Sequence, residues 1–223
     1  MADENAELPV VTPEQFGTTP ADSPTRTAGV LLAAGRSSRF GKSNKLLTTI
    51  DGTPIVNRAA ETLRDSAVER VVVVLGHEAT AVKDALFELA VETVKNDRYD
   101  EGQATSVATG VRALRSGPDV DAVVFALGDM PAVAPASVDT LLAAFDNEVG
   151  TALAAAYGGV RGNPVLFDQS HFDTLAAVEG DTGGRNLLFE TNAAALIETG
   201  DPGVCADVDE PADIDELPSI DKT

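Results

Sequence analysis

Between Ala28 and Leu47 the chain reads AGVLLAAGRSSRFGKSNKLL. An apolar stretch stops at Gly35, and Arg36, Arg39, Lys42 and Lys45 then follow within one loop. The whole chain holds 16 Lys and Arg against 36 Asp and Glu, so four of the 16 cations sit in this loop. Such a concentration in an acidic protein points to an anionic ligand. Glycine permits the tight backbone in which successive N–H groups converge on phosphate. Ser37 and Ser38 add hydroxyl donors, Arg39 can grip two oxygens at once, and Lys45 supplies a mobile point charge. The loop is of a size to wrap a triphosphate. It is not the P-loop pattern G-x-x-x-x-G-K-[ST], because five residues, Arg36 to Phe40, separate Gly35 from Gly41. The bland alternative is a solvated basic turn, but turn chemistry does not require four cations.

A second group is acidic. Asp129 ends the apolar run DAVVFALGD and is followed by Met130-Pro131. Proline cannot continue a strand ladder, so the carboxylate is expected at the edge of a sheet. One carboxylate there suits Mg²⁺, which takes one or two protein oxygens and fills its other positions with phosphate and water. Asp207 and Asp209 alternate with Val208, so a strand over GVCADVD would point both to one face, and at least one could reach the same ion. Acids are abundant here, and one of that pair is expected to be structural only.

These groups need a scaffold. Apolar runs at 28–34, 69–76, 91–96 and 121–129 read as strands, and TALAAAY (151–157) and NPVLF (163–167) as two more around a GGVRG turn. Helical periodicity is read at 53–66, 77–90, 102–115 and 134–145, and in shorter pieces near 171–178 and 183–191. AALIET and GVCADVD suggest late strands, and EPADIDEL a final helix. Alternating strands and helices predict a mostly parallel sheet covered on both faces, with ligands outside the carboxyl ends of the strands. Residues 1–27 carry four prolines and no apolar period, so they read as a flexible extension with a short element possible at Leu8 to Val11. One domain is expected over 28–218, with a tail at 219–223.

Composition excludes several classes. With 223 residues and 43% apolar content the chain can bury one sizeable core. No apolar run is long enough to cross a bilayer, and the N-terminus lacks a secretory pattern, so a cytoplasmic protein is expected. A net charge of −20 repels nucleic acid and anionic lipid, and 4% aromatic residues without Trp leave little for stacking bases. A halophilic source would account for such a surface. Cys205 is the only cysteine and reads as an ordinary apolar residue in a strand. His77 and His171 lack metal-ligand spacing and read as structural, His77 as a helix cap.

The stretch LLAAGRSSRFGKSNKLL resembles the signature loop of the MobA-like nucleotidyltransferases, L-x-A-G-x-S-x-R-[MF]-G followed closely by Lys-Leu-Leu. The match covers Leu31, Ala33 to Gly35, Ser37, Arg39 to Gly41 and Lys45 to Leu47. Lys45 follows Gly41 by four residues where the family commonly has three. Lys42 and Lys45 therefore compete for the family role, and Leu46-Leu47 favour Lys45. DEGQATSVATGV, ALGDMP, VRGNPVLF, GDTGGRNLL and DVDEPADI resemble further family motifs in the same order.

The resemblance implies a three-layer α/β, Rossmann-like fold of the nucleotide-diphospho-sugar transferase type. It also implies Mg²⁺-dependent transfer of a nucleoside monophosphate to a phosphorylated acceptor, with release of pyrophosphate. Nucleotide contacts would fall to Leu32, Ala33, Ala34, Gly35, Ser37, Arg39, Gly41, Lys45, Gly102 and Ser106. Asp129, Asp207 and Asp209 would face the metal, and Arg39, Lys45 and Asp129 would act in catalysis. Arg161, Asn163, Asp181 and Arg185 would meet the acceptor. Ala33-Ala34-Gly35 resembles the cytidylyl branch, which implies CTP, molybdopterin and onward delivery to a molybdoenzyme. The competing readings are GTP or another small phosphate acceptor, and a non-catalytic cofactor-binding chaperone. Such a chaperone has no need of Arg39, Lys45 and Asp129.

Overall fold

The run Thr27–Ala33 is apolar on both sides, and its side chains divide between two cores. Leu31 and Ala33 pack into one hydrophobic cluster and Ala28 and Val30 into another, one on each face of a sheet. A computed structural model describes residues 8–17, 25–36, 40, 44–180 and 184–218. Ser37, Arg39, Gly41, Lys42 and Asp181 lie outside the described residues. In chain order the elements are β1 (Val10–Val11), α1 (Pro13–Phe16), β2 (Thr27–Ala33), β3 (Thr49–Ile50), β4 (Thr53–Pro54), α2 (Ile55–Arg64), β5 (Arg70–Leu75), α3 (Ala79–Ala85), β6 (Glu92–Lys95), α4 (Gln103–Leu114), β7 (Ala122–Leu127), α5 (Pro135–Asp146), β8 (Ala152–Tyr157), β9 (Val160–Asp168), α6 (Phe172–Ala177), α7 (Arg185–Glu190), β10 (Ala194–Glu198) and α8 (Asp213–Glu216).

The main sheet has the order β1-β10-β8-β9-β7-β2-β5-β6. All neighbours are parallel except β9, which runs antiparallel to both β7 and β8. Buried residues of α2, α3 and α5 pack on one face, and those of α4, α6 and α7 on the other. This is the three-layer, mostly parallel arrangement that the alternating pattern predicts. Its parallel strands deliver Gly35, Gly76 and Asp129 to one edge. The reversed β9 joins them there: the register pairing Phe125 with Val165 carries Asn163 to the level of Leu127. Two residues from distant parts of the chain, Arg161 and Asp129, thus reach the same end of the sheet.

Two expectations need correction. The segment GVCADVD is not a strand. Pro202–Cys205 forms a 3₁₀ turn, capped by the Asp201 carboxylate, which accepts from Gly203 N–H at 2.8 Å. Asp-Pro-Gly is turn chemistry, and proline offers no ladder donor. The turn lies tight against β9: a side chain on Gly162 would strike the Val204 carbonyl. Cys205 is consequently exposed, with its thiol 3.6 Å from the Val160 carbonyl. The second correction concerns residues 8–17 of the expected flexible extension, where the short element expected at Leu8 to Val11 is present as β1. β1 adds a parallel edge strand to β10 through Val10↔Leu196 and Val11↔Ile197. Leu8, Val11 and Phe16 pack on the core clusters, so residues 8–17 are docked rather than a free extension. Thr25 and Arg26 are held by Asp146 and Asp121. The missing apolar period is explained by size: a two-residue strand and a one-turn helix are too short to show one.

Candidate functional site

Two adjoining cavities open at the carboxyl edge of the sheet. One of about 190 Å³ is lined by Leu32, Ala34, Gly35, Lys45, Leu46, Tyr99, Gly102, Gln103, Ser106, Leu127 and Asp129. Its neighbour, about 340 Å³, takes Arg161, Asn163 and Arg185 among its walls, with Val107, Phe125, Val165, Phe167 and Leu188. Leu32, Gln103 and Leu127 line both, so they form the boundary between them.

The smaller cavity is assembled from loops that hold one another. Gly76, just past β5, lets Ala34 and Tyr99 approach: an added Cβ would stand 2.6 Å from Tyr99 Cβ and 2.7 Å from Ala34 Cβ. Gly102 enters α4 at φ 107°, a conformation that favours glycine. Buried Asn96 donates from Nδ2 to the Thr105 and Ser106 hydroxyls at 2.8 and 3.0 Å, and its Oδ1 accepts from Arg98 N–H. Ser106 is thereby fixed where it lines the cavity. Arg36 reaches over the Tyr99 ring, 5.7 Å from its centroid, and pairs with Asp100 at 3.3 Å. His77 packs on the same ring and caps nothing; Glu78 occupies the cap of α3. Sequence reasoning missed Asn96, Tyr99 and Gln103. A polar residue directly after β6, at the edge where ligands bind, is the signal that could have found Asn96.

Lys45 stands on a 3₁₀ turn, Lys45–Leu47, whose cap Asn44 accepts from Leu46 N–H at 3.1 Å. Leu46 is buried in the core, so the turn is anchored. Its Nζ lies 2.7 Å from Asp129 Oδ2 and 3.0 Å from Asp209 Oδ1, with the side chain only 12% exposed. Burial opposes its charge, yet the two carboxylates outweigh burial and the lysine pKa is raised. The Val208 N–H donates to the Asp129 carbonyl at 2.9 Å, which stitches the segment carrying Asp207 and Asp209 to the end of β7. Burial, followed by the charges of Asp129 and Asp209, pushes the Asp207 carboxyl up. Asp129 and Asp209 therefore meet at Lys45 without the strand that the alternation predicts, and Asp207 lies near enough to feel their charge. Among the described residues, no group of three or more His, Cys, Asp or Glu forms a ready metal cage. The donor chemistry nonetheless fits a hard divalent ion. Oxygens of Asp129 and Asp209 already converge on one cation, and Mg²⁺ needs only one or two such ligands beside phosphate and water.

In the larger cavity the electrostatics are reversed. Several other arginines are matched with acids, Arg26 with Asp121, Arg70 with Glu92, Arg98 with Glu101 and Arg115 with Asp173, while Arg112 donates to the Ala176 carbonyl. Arg161 and Arg185 have no carboxylate partner among the described residues. Burial, then the neighbouring Arg185, pushes the Arg161 pKa down. Two cations thus lie near each other, in a molecule of net charge −20, in a cavity whose other walls are apolar and partly aromatic.

A model of the MobA-like NTP transferase domain matches residues 29–195. The chain belongs to the MobA-like NTP transferase family. As a MobA-like protein it has a domain of nucleotidyltransferase type, and its relatives are diverse. It is 31% identical over 190 residues to nicotine blue oxidoreductase of Paenarthrobacter nicotinovorans, which covers 81% of this chain and 91% of that protein. In fold it is similar to Rv0371c of Mycobacterium tuberculosis H37Rv, with a TM-score of 0.75 and 28% identity, covering 87% of this chain and 98% of that one. A manganese complex of Rv0371c matches with a TM-score of 0.72 and 25% identity, covering 89% and 100%. A nucleotidyl transferase from Methanothermobacter thermautotrophicus matches with a TM-score of 0.72 and 25% identity, covering 86% and 95%. No helix among the described residues is long and apolar enough to cross a membrane.

Proposed function

We propose that this MobA-like protein transfers CMP from CTP to a phosphorylated acceptor, molybdopterin being the acceptor that the family resemblance implies, with release of pyrophosphate. The observation that carries the reading is the pair of adjoining cavities: one has Lys45 and Asp129 at its wall, and the other has two arginines without acidic partners. CTP would occupy the first, with its base against Ala34, Gly102 and Ser106 and its phosphates toward Gly35 and Lys45. The acceptor would occupy the second, its anionic groups on Arg161 and Arg185 and its ring system on Phe125 and Phe167. An acceptor phosphate oxygen attacks the α-phosphorus at the shared wall. A new P–O–P linkage forms, the α–β bridging bond breaks, and its electron pair leaves on pyrophosphate. Lys45 offsets charge on the departing group, and the two arginines orient the acceptor, so positioning and electrostatics supply the catalysis. Mg²⁺ held by Asp129, with Asp209 and Asp207 beside it, would supply Lewis-acid stabilisation of phosphate charge. Arg39, Ser37, Gly41 and Asp181 keep the roles the resemblance gives them.

A second reading is favoured by the 31% relation to an oxidoreductase. In that case the larger cavity would hold an aromatic redox substrate, and no pyrophosphate would form. One experiment tests both. The purified protein is incubated with Mg²⁺, molybdopterin and CTP, GTP, ATP or UTP in turn, and pyrophosphate is measured. Release with CTP above the other three supports the proposal. Release best with GTP overturns the nucleotide, and none with any nucleotide overturns transfer and leaves the redox reading, or a binding protein without turnover.

A further inference from the structure

The ammonium of Lys45 occupies the space between Asp129 and Asp209, at 2.7 and 3.0 Å from their oxygens. These are the carboxylates that would hold a divalent ion under the metal-dependent reading above, on which this inference rests. We infer that Lys45 is an internal counter-cation that competes with the metal: it fills the carboxylate pair in the free protein and is displaced toward the phosphates when the ion arrives.

Three features support the exchange. First, an ammonium and a divalent cation held by the same pair of carboxylates are like charges a few ångströms apart, and they repel in a partly buried pocket. Second, the lysine backbone is anchored, and its ammonium sits at the end of a four-carbon stem. Asn44 caps the turn and Leu46 is buried in the core, so only the lysine's flexible stem has to move. Third, Lys45 already lines the smaller cavity beside Gly35 and Asp129, so a phosphate chain there lies within its reach. The carboxylates thus stay neutralised whether or not substrate is bound. Metal alone has to break two charge-assisted contacts, whereas metal with nucleotide gives the displaced ammonium a new anion. The protein would accept the ion together with the nucleotide in preference to the ion by itself.

The test uses the full chain and Mn²⁺ alone, without nucleotide, with free Mn²⁺ read from its electron paramagnetic resonance signal. Lys45→Met should bind Mn²⁺ at least about fivefold more tightly than the parent, the low end of ordinary coupling between sites. Lys45→Arg, which keeps the charge, should not tighten binding. Arg115→Met removes one positive charge at the far end of α4 and should change Mn²⁺ affinity by less than about twofold. If Lys45→Met melts far below the parent, Lys45→Gln takes its place with the same expectation. Binding in the neutral variants no tighter than in the parent, or tightening equally in Arg115→Met, overturns the counter-cation. In that event, loss of Mn²⁺ binding in Asp129→Asn would show that the metal site itself survives. Asp129→Asn binding as well as the parent, or no Mn²⁺ binding by any of the proteins, overturns the metal reading and this inference together.

Discussion

The two cavities lie against each other, share Leu32, Gln103 and Leu127, and differ in how their charges are balanced. In the smaller, protein groups answer one another: Lys45 faces Asp129 and Asp209, Arg36 faces Asp100, and Asn96 holds Ser106. In the larger, Arg161 and Arg185 meet no described acid, although acids outnumber bases 36 to 16 across the chain. Charge is paired within the first and, among the described residues, left without a carboxylate partner in the second. A phosphate chain with an accompanying cation brings both signs of charge and can exchange partners with a site that holds both. Under the proposed function, an anionic acceptor would bring one sign and suit a site that lacks the other.

The sharpest way to break this comparison is to remove charge at its centre. Asp129→Asn should fold and lose about two to three orders of magnitude in kcat, the scale of a preorganised electrostatic contact to a transition state. Pyrophosphate release at saturating CTP and Mg²⁺ is the measurement, and near-parental turnover would remove Asp129 from the chemistry. Next come the arginines. Arg161→Ala and Arg185→Ala should each raise the acceptor KM by about 10- to 100-fold, as for a lost charge-assisted hydrogen bond, and leave the CTP KM almost unchanged. A rise in the CTP KM instead would mean that the division into two half-sites is wrong.

Asn96→Ala tests whether the smaller cavity is held by its own polar contacts. Leaving the buried Thr105 and Ser106 hydroxyls short of a partner should cost about 1–3 kcal/mol of stability in urea unfolding, with a matching rise in the CTP KM. A loss of stability without a kinetic change would make Asn96 structural only. The smallest effect is expected from Arg36→Ala. Its ion pair to Asp100 is open to solvent, with side chains 57% and 50% exposed, so the stability change should stay within about 1 kcal/mol. A fall in kcat/KM for CTP of more than tenfold would show that the Arg36–Tyr99 contact closes the cavity rather than decorating its rim.

Much of the scaffold was legible because apolar runs were long. β2, β5 and β7 each bury both faces, and burial on both faces leaves a near-continuous apolar run in the sequence. The carboxyl edge rule then located Gly35 and Asp129. Short or turn-rich segments were less legible. β1 has two residues, too few for a period, and its place beside β10 depends on Val10 and Val11 finding Leu196 and Ile197 far along the chain. The alternation in Asp207-Val208-Asp209 was read as a strand, yet the backbone there bonds to Asp129 without joining the sheet.

The sequence by itself carried the ingredients of the candidate site: a glycine loop rich in cations, an aspartate at a strand end, and arginines at positions 161 and 185. Those are properties of residue type and local spacing, which a chain carries without folding. Only the tertiary structure decided partnership. That Lys45 stands between Asp129 and Asp209, 84 and 164 positions away, follows from β7 lying beside β2 and from Val208 bonding to the end of β7. That Arg161 and Arg185 share one wall with Phe125 follows from β9 running against its neighbours. Charge balance between side chains distant in sequence depends on distances in space, and packing alone sets those distances.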